Sequence, residues 1–546
     1  LKSPYLPYGI ILVLLLPALL LRLGYMPHID DEAIRALVAL EMRWSDNWVT
    51  PTLHGDYYYN KPPLWNWLLA LLFGAMGSEA EWVSRLGVVL CLLGYAATIY
   101  YFTRAALGRR LASVNAVAFI TCGRVLFWDS LLGLIDISFS WIMFTLFMVV
   151  YRYFEREQWW KLFIISYQLM AVGFMLKGLP AIVFQGISLL SYFVYRGEFR
   201  RLFSWAHVAG GLLGLVLPAV YYYNYHQYND LGTVMSTLLN ESSRRTVVHF
   251  GLGETLLQIA TFPFELLYHF LPWSLLIVFA FRPGAWGFLR SDRFAGFLAV
   301  CLLFNLLPYW TSPEVYPRYL LMLIPLLFTL GLYYFRQLEG GRSRFYPWFQ
   351  GLLLLLGVIL AGVWVGPLVS ARLQQLPWAI PTGLLLLLWS LWLLTKAWRE
   401  AEQRWLWVMA LLLTFRLGFD WFVLPDRLAN DFGEKCRQSS LAVGQRWAGK
   451  PLFVYHHTLM QPTNSYYLER AYGGIIPRKV AGFRTDEYYL VNEAQFPESS
   501  FIRLDSFFVR HGQLTYYLVQ LTDTLPPPAV LLPAESLTPL PISDRR

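Results

Sequence analysis

The feature that most restricts this chain is a recurrence: long apolar blocks separated by short loops that each carry three cations. Blocks such as Tyr8 to Leu23, Leu353 to Val369 and Gly383 to Thr395 form the cores of segments with the roughly 17 to 25 residues that a helix needs to cross a hydrocarbon layer about 30 Å thick. Between blocks come Arg104, Arg109 and Arg110, then Arg152, Arg156 and Lys161, then Arg196, Arg200 and Arg201. The pattern returns with Arg282, Arg290 and Arg293, with Arg336, Arg342 and Arg344, and with Lys396, Arg399 and Arg404. Such trios mark cytoplasmic loops under the positive-inside bias. The net charge of +9 therefore records topology rather than affinity for a polyanion. Charged residues are 14% of the chain, against about 25% in soluble domains, and a soluble globular fold is excluded.

With those loops inside, thirteen spans are predicted, near 8–24, 82–103, 111–127, 134–151, 161–177, 179–195, 202–222, 264–281, 294–309, 319–335, 347–369, 378–395 and 405–424. The amino terminus then faces the cytoplasm, and everything past about residue 425 lies outside. Leu64 to Gly77 is apolar but short, which predicts a helix in the membrane surface rather than a span. The expected organisation is a transmembrane domain over 1–425, with 25–81 as its first external loop, and an external α/β domain over 426–546. The latter follows from the β-rich runs Leu452–Tyr455, Tyr488–Val491 and Tyr516–Val519 and a helix-like stretch from Asp431 to Trp447.

Polar chemistry gathers on the external side. The first loop reads His28-Ile29-Asp30-Asp31-Glu32-Ala33-Ile34-Arg35, later Glu41-Met42-Arg43-Trp44, then Tyr57-Tyr58-Tyr59-Asn60-Lys61-Pro62-Pro63; a passive linker needs no such mixture. A helix over 31–44 puts Ile34, Leu37, Val38 and Trp44 on one side and Asp31, Glu32, Arg35 and Arg43 on the other. Asp31 and Arg35 are then neighbours one turn apart. The plain alternative is a helix start, with Asp30 as the cap and acids complementing the dipole. Lys61 stands on a corner stiffened by two prolines, either as a grip for phosphate or as a snorkelling lysine. Asp136 interrupts an apolar run, and a carboxylate at membrane depth pairs with a cation or lines a wet cavity. Lys177 is read in the same way.

A second external stretch, Tyr223 to Phe262, holds Glu241, Arg244, Arg245 and His249, and a third ends in Pro317-Arg318-Tyr319. Several cations around two carboxylates at an outer surface suit an anionic lipid headgroup, with structural charge pairs as the other reading. The external histidines His28, His54, His249, His456 and His457 lack HExxH spacing, and no paired CxxC occurs. Glu241 and His249, with a ligand from the first loop, are the remaining candidates for a divalent metal. No GxxxxGK[ST] or GxGxxG element after a strand points to a nucleotide.

Asp31-Glu32, Glu41-Met42, Trp48, Pro51, Gly55, Tyr58 and Lys61-Pro62-Pro63 resemble the first-loop pattern of the GT-C glycosyltransferases that use polyprenyl-phosphate sugars, a group that includes the protein O-mannosyltransferases. Leu176-Lys177-Gly178 and Pro317-Arg318-Tyr319 resemble that group's later Lys-Gly and Arg-Tyr elements. Within the group, the whole plan is similar to the transferases that place 4-amino-4-deoxy-L-arabinose on lipid A. The resemblance implies a catalytic aspartate at Asp31, with Glu32 beside it and Asp136 as the second acidic position. It implies that Lys61 and Tyr319 hold the lipid-linked phosphate; Arg35, Tyr58, Lys177, Arg244, Arg245 and Arg318 are the further candidates for binding it. Asn60 departs from the acid that often precedes the lysine, and Arg35 sits one place off the usual arginine, which puts metal binding and the arginine's role in doubt.

The expected activity is an inverting transfer of aminoarabinose from undecaprenyl phosphate to lipid A phosphate, by a monomer in the bacterial inner membrane whose site faces the periplasm. Membrane lipids surround it and nucleic acid is no partner. The alternatives are a protein O-glycosyltransferase and a lipid transporter or flippase. The last would need charges at mid-bilayer along a path through both faces, whereas here they collect at one.

Overall fold

A computed structural model describes residues 5–243, 247–281, 284–337, 344–492 and 501–522. α1 (Leu6–Leu20) is followed by α2 (Asp30–Ser45), a two-residue-per-strand hairpin of β1 (Thr52–Leu53) and β2 (Asp56–Tyr57), and α3 (Leu64–Met76). Then come α4 (Glu81–Thr121), α5 (Gly123–Phe127), α6 (Asp136–Phe154), α7 (Trp159–Lys177), α8 (Pro180–Tyr195) and α9 (Trp205–His226). α10 (Leu231–Ser243), α11 (Val247–His269), α12 (Ala285–Ser291), α13 (Arg293–Trp310) and α14 (Ile324–Gln337) continue the chain. α15 (Phe345–Gly362), the short α16 (Gly366–Val369) and α17 (Ala371–Gln374), α18 (Ala379–Arg399) and α19 (Arg404–Ala429) complete the apolar part.

Among the described residues, eight helices are long and apolar enough to cross a membrane, or nine if one bent pair is a single span. This is a multi-span membrane protein. Three of the expected spans fall on shorter helices: 8–24 on α1, 179–195 on α8, and 319–335 on α14 with the 3-10 turn Pro317–Met322 before it. The expected spans 82–103 and 111–127 meet in α4, which breaks at Gly108 with φ 74°, a conformation that a glycine adopts without penalty. The expected span at 264–281 is bent. Its helix stops at His269, and Trp273–Ala280 leaves at 120° to it, with Pro272 at the break offering no N–H to carry the ladder on.

By its contacts the chain forms two units. The first comprises Leu1–Tyr25, Tyr59–Trp65 and Trp82–Asp426; the second comprises Met26–Tyr58, Asn66–Glu81 and Arg427–Arg546. The expected boundary near 425 left the first loop with the membrane helices, yet most of that loop packs with the C-terminal residues.

The first unit contains a wholly buried ion pair. Arg416 Nε donates to both oxygens of Asp420, at 2.7 and 2.9 Å, on the same face of α19 one turn apart. Arg416 also donates to the Leu126 carbonyl and to Ser130 Oγ, while Arg22 reaches the Asp420 carbonyl at 3.1 Å. An arginine in a span persists when it is paired in this way.

In the second unit α20 (Phe432–Arg446), β3 (Leu452–Tyr455), α21 (Pro462–Tyr472), β4 (Arg478–Lys479), β5 (Tyr488–Asn492), β6 (Phe501–Val509) and β7 (Leu514–Leu521) build one sheet with helices on it. The strand order is β4-β3-β5-β7-β6, parallel for β4-β3 and β3-β5 and antiparallel for the rest. Val443, Leu452, Val454, Leu468, Leu490 and Leu518 fill one side of the sheet, and Tyr455, Tyr489, Val491 and Val519 the other. α2 packs against α21 in this unit.

Replacing Asp420 with Ala is expected to cost about 3–5 kcal/mol by stranding a buried charge, read as a lower unfolding midpoint in detergent. The double change of Arg416→Met with Asp420→Leu is expected to recover most of that loss.

Candidate active site

In the first unit, elements distant in sequence meet around one carboxylate. Asp136 opens α6, Lys177 closes α7, and the 3-10 turn over Pro317–Met322 carries Arg318 and Tyr319. Lys177 Nζ donates to Asp136 Oδ1 at 2.5 Å, and Arg318 Nε stands 3.4 Å from Oδ2. The Lys177 ammonium lies 4.3 Å from the centroid of the Tyr319 ring, and the Arg318 guanidinium 4.5 Å from that of Tyr316; ring faces attract cations placed so. Asp136 is only 5% exposed.

Lys61 belongs to the same field, acting electrostatically on Asp136. Its corner is placed by Pro62, which neighbours Gly178: a Cβ on that glycine would lie 3.9 Å from Pro62 Cδ. Gly178 has φ 89°, so it ends α7 directly after Lys177 where a side chain would be strained. Tyr59 OH accepts a hydrogen bond from Asn229 Nδ2 at 3.3 Å. Lys61, Lys177 and Arg318 thus surround Asp136 with two positive charges in excess.

Asp129 was not singled out in the sequence. It is 3% exposed and both its oxygens accept from Arg124 Nε, at 3.2 and 3.1 Å. Burial pushes its carboxyl up to about 6, against the downward pull of Arg124, and the charges of Asp136 and Arg318 act on it as well. Its signal was an acid seven positions before Asp136, hidden at the blurred edge of an expected span.

The second unit holds the other expected residues. Asp31 is exposed in the first turn of α2. Asp30 is not the cap expected of it: the cap position is Ile29, whose N–H donates to Glu32 Oε2 at 3.3 Å. Glu32 is 1% exposed, and its Oε1 lies 3.0 Å from His28 Nδ1, so this carboxylate is engaged at the helix start. Arg35 is 4% exposed and faces the Tyr58 ring at 5.3 Å. Arg35 and Tyr58, expected with the phosphate-binding set, therefore pair with each other in the unit that carries Asp31. Arg244 and Arg245 lie outside the described residues, and the side chains of Glu241 and His249 are likewise outside the description. Among the described residues no group of three His, Cys, Asp or Glu is placed to hold a metal ion.

The structure has a multi-span helical unit and a second unit in which most of the first loop packs with a five-stranded sheet. Residues 60–223 match the family model described as dolichyl-phosphate-mannose-protein mannosyltransferase. The particular likeness is to ArnT. The crystal structure of ArnT from Cupriavidus metallidurans bound to undecaprenyl phosphate aligns with a TM-score of 0.64 and 17% identity, over 95% of this chain and 99% of that one. The apo structure of the same protein aligns with a TM-score of 0.60 and 18% identity, over 96% and 98%. At these identities the likeness is one of fold. No curated protein sequence matches the chain.

Because Asp129 gains its charge as pH rises through about 6, it opposes a nearby anion above that pH and not below it. Affinity for a phosphodiester lipid, whose own charge is constant, is expected to rise severalfold between pH 7 and pH 5. Asp129→Asn is expected to flatten that step in a binding titration.

Proposed function

We propose that this protein is an inverting glycosyltransferase that moves 4-amino-4-deoxy-L-arabinose from undecaprenyl phosphate to a lipid A phosphate at the periplasmic face of the inner membrane. The observation that carries the reading is the cation cluster of Lys61, Lys177 and Arg318 about Asp136, in a chain with the fold of ArnT. A lipid-linked sugar leaves its phosphate as the C1–O bond breaks, and the electron pair departs with the polyprenyl phosphate. Negative charge grows on that phosphate, and fixed cations in a dry setting lower the barrier most where charge develops. Asp136 holds Lys177 and Arg318 oriented in advance, so that little reorganisation is left for the reaction.

The acceptor decides what Asp31 does. A phosphate monoester has its second pKa near 6 and is largely ionised at pH 7, so it attacks the anomeric carbon without a base. Asp31 then serves the sugar, by pairing with its ammonium and offsetting positive charge at the anomeric carbon. A Ser or Thr hydroxyl is protonated and needs a base, and Asp31 would take its proton. Protein O-glycosylation is the second reading, favoured by the family model over residues 60–223.

Purified protein given undecaprenyl-phosphate aminoarabinose and lipid A is expected to release undecaprenyl phosphate and to add the sugar's mass to lipid A. Movement of the donor without cleavage would point to a flippase instead. Lys177→Ala is expected to lower kcat by about 100-fold or more, in line with removal of one oriented donor, while the protein stays folded. Asp31→Asn separates the two acceptors. With phosphate, the amino sugar donor suffers more than its hydroxyl analogue; with a hydroxyl acceptor, both are lost alike.

A further inference from the structure

We propose that the C-terminal α/β fold is the frame that orients the Asp31 helix, with Tyr467 and Thr463 as its positioning residues. The inference rests on the glycosyl-transfer reading above. Over residues 31–40 of α2, every residue is buried except half-buried Ile34 and exposed Asp31. Over this stretch the helix is held on nearly all sides, with Asp31 exposed in its first turn. Apolar packing alone would leave such a helix free to slide or turn, since dispersion and burial are weakly directional; hydrogen bonds at its ends are not.

At the amino-terminal end, the residue leading into α2 is gripped through its backbone. The His28 N–H donates to Tyr467 OH at 2.9 Å, and the His28 carbonyl accepts from Thr463 Oγ1 at 3.2 Å. Tyr467 OH passes its own hydrogen to Glu81 Oε1 at 2.8 Å, and Arg437 and Arg470 lie 3.2 and 3.6 Å from that carboxylate. The His28 ring is edge-on to Tyr466 at 4.7 Å. Both Tyr466 and Tyr467 are fully buried on α21.

At the other end, Glu41 Oε1 accepts from the His54 N–H at 2.5 Å, and Oε2 from Thr52 Oγ1 at 2.6 Å and Gly55 N–H at 3.2 Å. The His54 ring then ties the hairpin to α21, with Nε2 2.7 Å from Ser465 Oγ and Nδ1 3.0 Å from Glu469 Oε1. The Ile476 carbonyl also faces Nδ1, at 3.1 Å. Four residues of one helix, Thr463, Ser465, Tyr467 and Glu469, therefore set the place of both ends of α2. An error of about 1 Å in a catalytic group is enough to cost roughly 100-fold in rate.

The test uses the full-length protein in detergent, with Tyr467→Phe, Thr463→Val and the conservative Thr463→Ser. Tyr467→Phe and Thr463→Val are expected to lower kcat at least tenfold, with the affinity for undecaprenyl phosphate unchanged within twofold; Thr463→Ser is expected to retain kcat. Amide hydrogen exchange is expected to quicken in residues 30–45 of Tyr467→Phe and not in α6 or α7. Unchanged exchange in 30–45 overturns the inference, as does loss of kcat together with phosphate affinity and melting midpoint, the pattern of general destabilisation. Absence of transfer by the unaltered protein would instead refute the glycosyl-transfer reading, and the exchange result judges the frame independently of it.

Discussion

The chemistry of the membrane unit hangs on a single carboxylate. Asp136 receives Lys177 at 2.5 Å and Arg318 at 3.4 Å, and these come from elements far apart in sequence. Without it, two cations would face each other in a setting of low dielectric, where like charges repel strongly. With it, they are held close and still leave positive charge to spare. The arrangement is a standing invitation to an anion that brings more negative charge than Asp136 does. It also explains the broken backbone nearby: Gly178 turns the chain after Lys177 where a residue with a side chain would be strained.

Much of this was legible in the sequence, for reasons that can be named. Apolar blocks and cation trios depend only on local composition, so each expected span falls on helical residues of the structure. Asp136 and Lys177 stood out because charge in an apolar run is costly, and the structure brings them into contact. What depended on the chain folding back was not legible. Arg35 and Tyr58 lie far apart in sequence, and nothing in the pattern announces that the guanidinium settles over the ring. Asp129 was lost in a span boundary. The edge strand β6 was missed because Ile502, Arg503 and Leu504 are exposed in succession beside a register shift that breaks its alternation. α21 was missed because Tyr466-Tyr467 reads as strand when its helical partners are unknown.

The division of residues between the two units changes how the first loop is understood. In sequence it is an excursion between two spans, and its aromatic and charged residues read as membrane-surface chemistry. In the structure most of it is core to the C-terminal fold, with Ala33, Ala36, Leu37, Val38 and Leu40 fully buried. Glu32, expected beside a catalytic aspartate, lies against His28, and Glu41 and His54 hold the hairpin to the helix. Asp31 is exposed in the first turn of that helix.

The central claim is that the cluster around Asp136 is where the lipid phosphate sits. A structure determined with undecaprenyl phosphate bound tests it directly. The account predicts phosphate oxygens within hydrogen-bonding distance of Lys177 or Arg318, with Lys61 turned toward them. A phosphate bound elsewhere, with the Lys177–Asp136–Arg318 contacts unchanged and closed to it, would contradict the account.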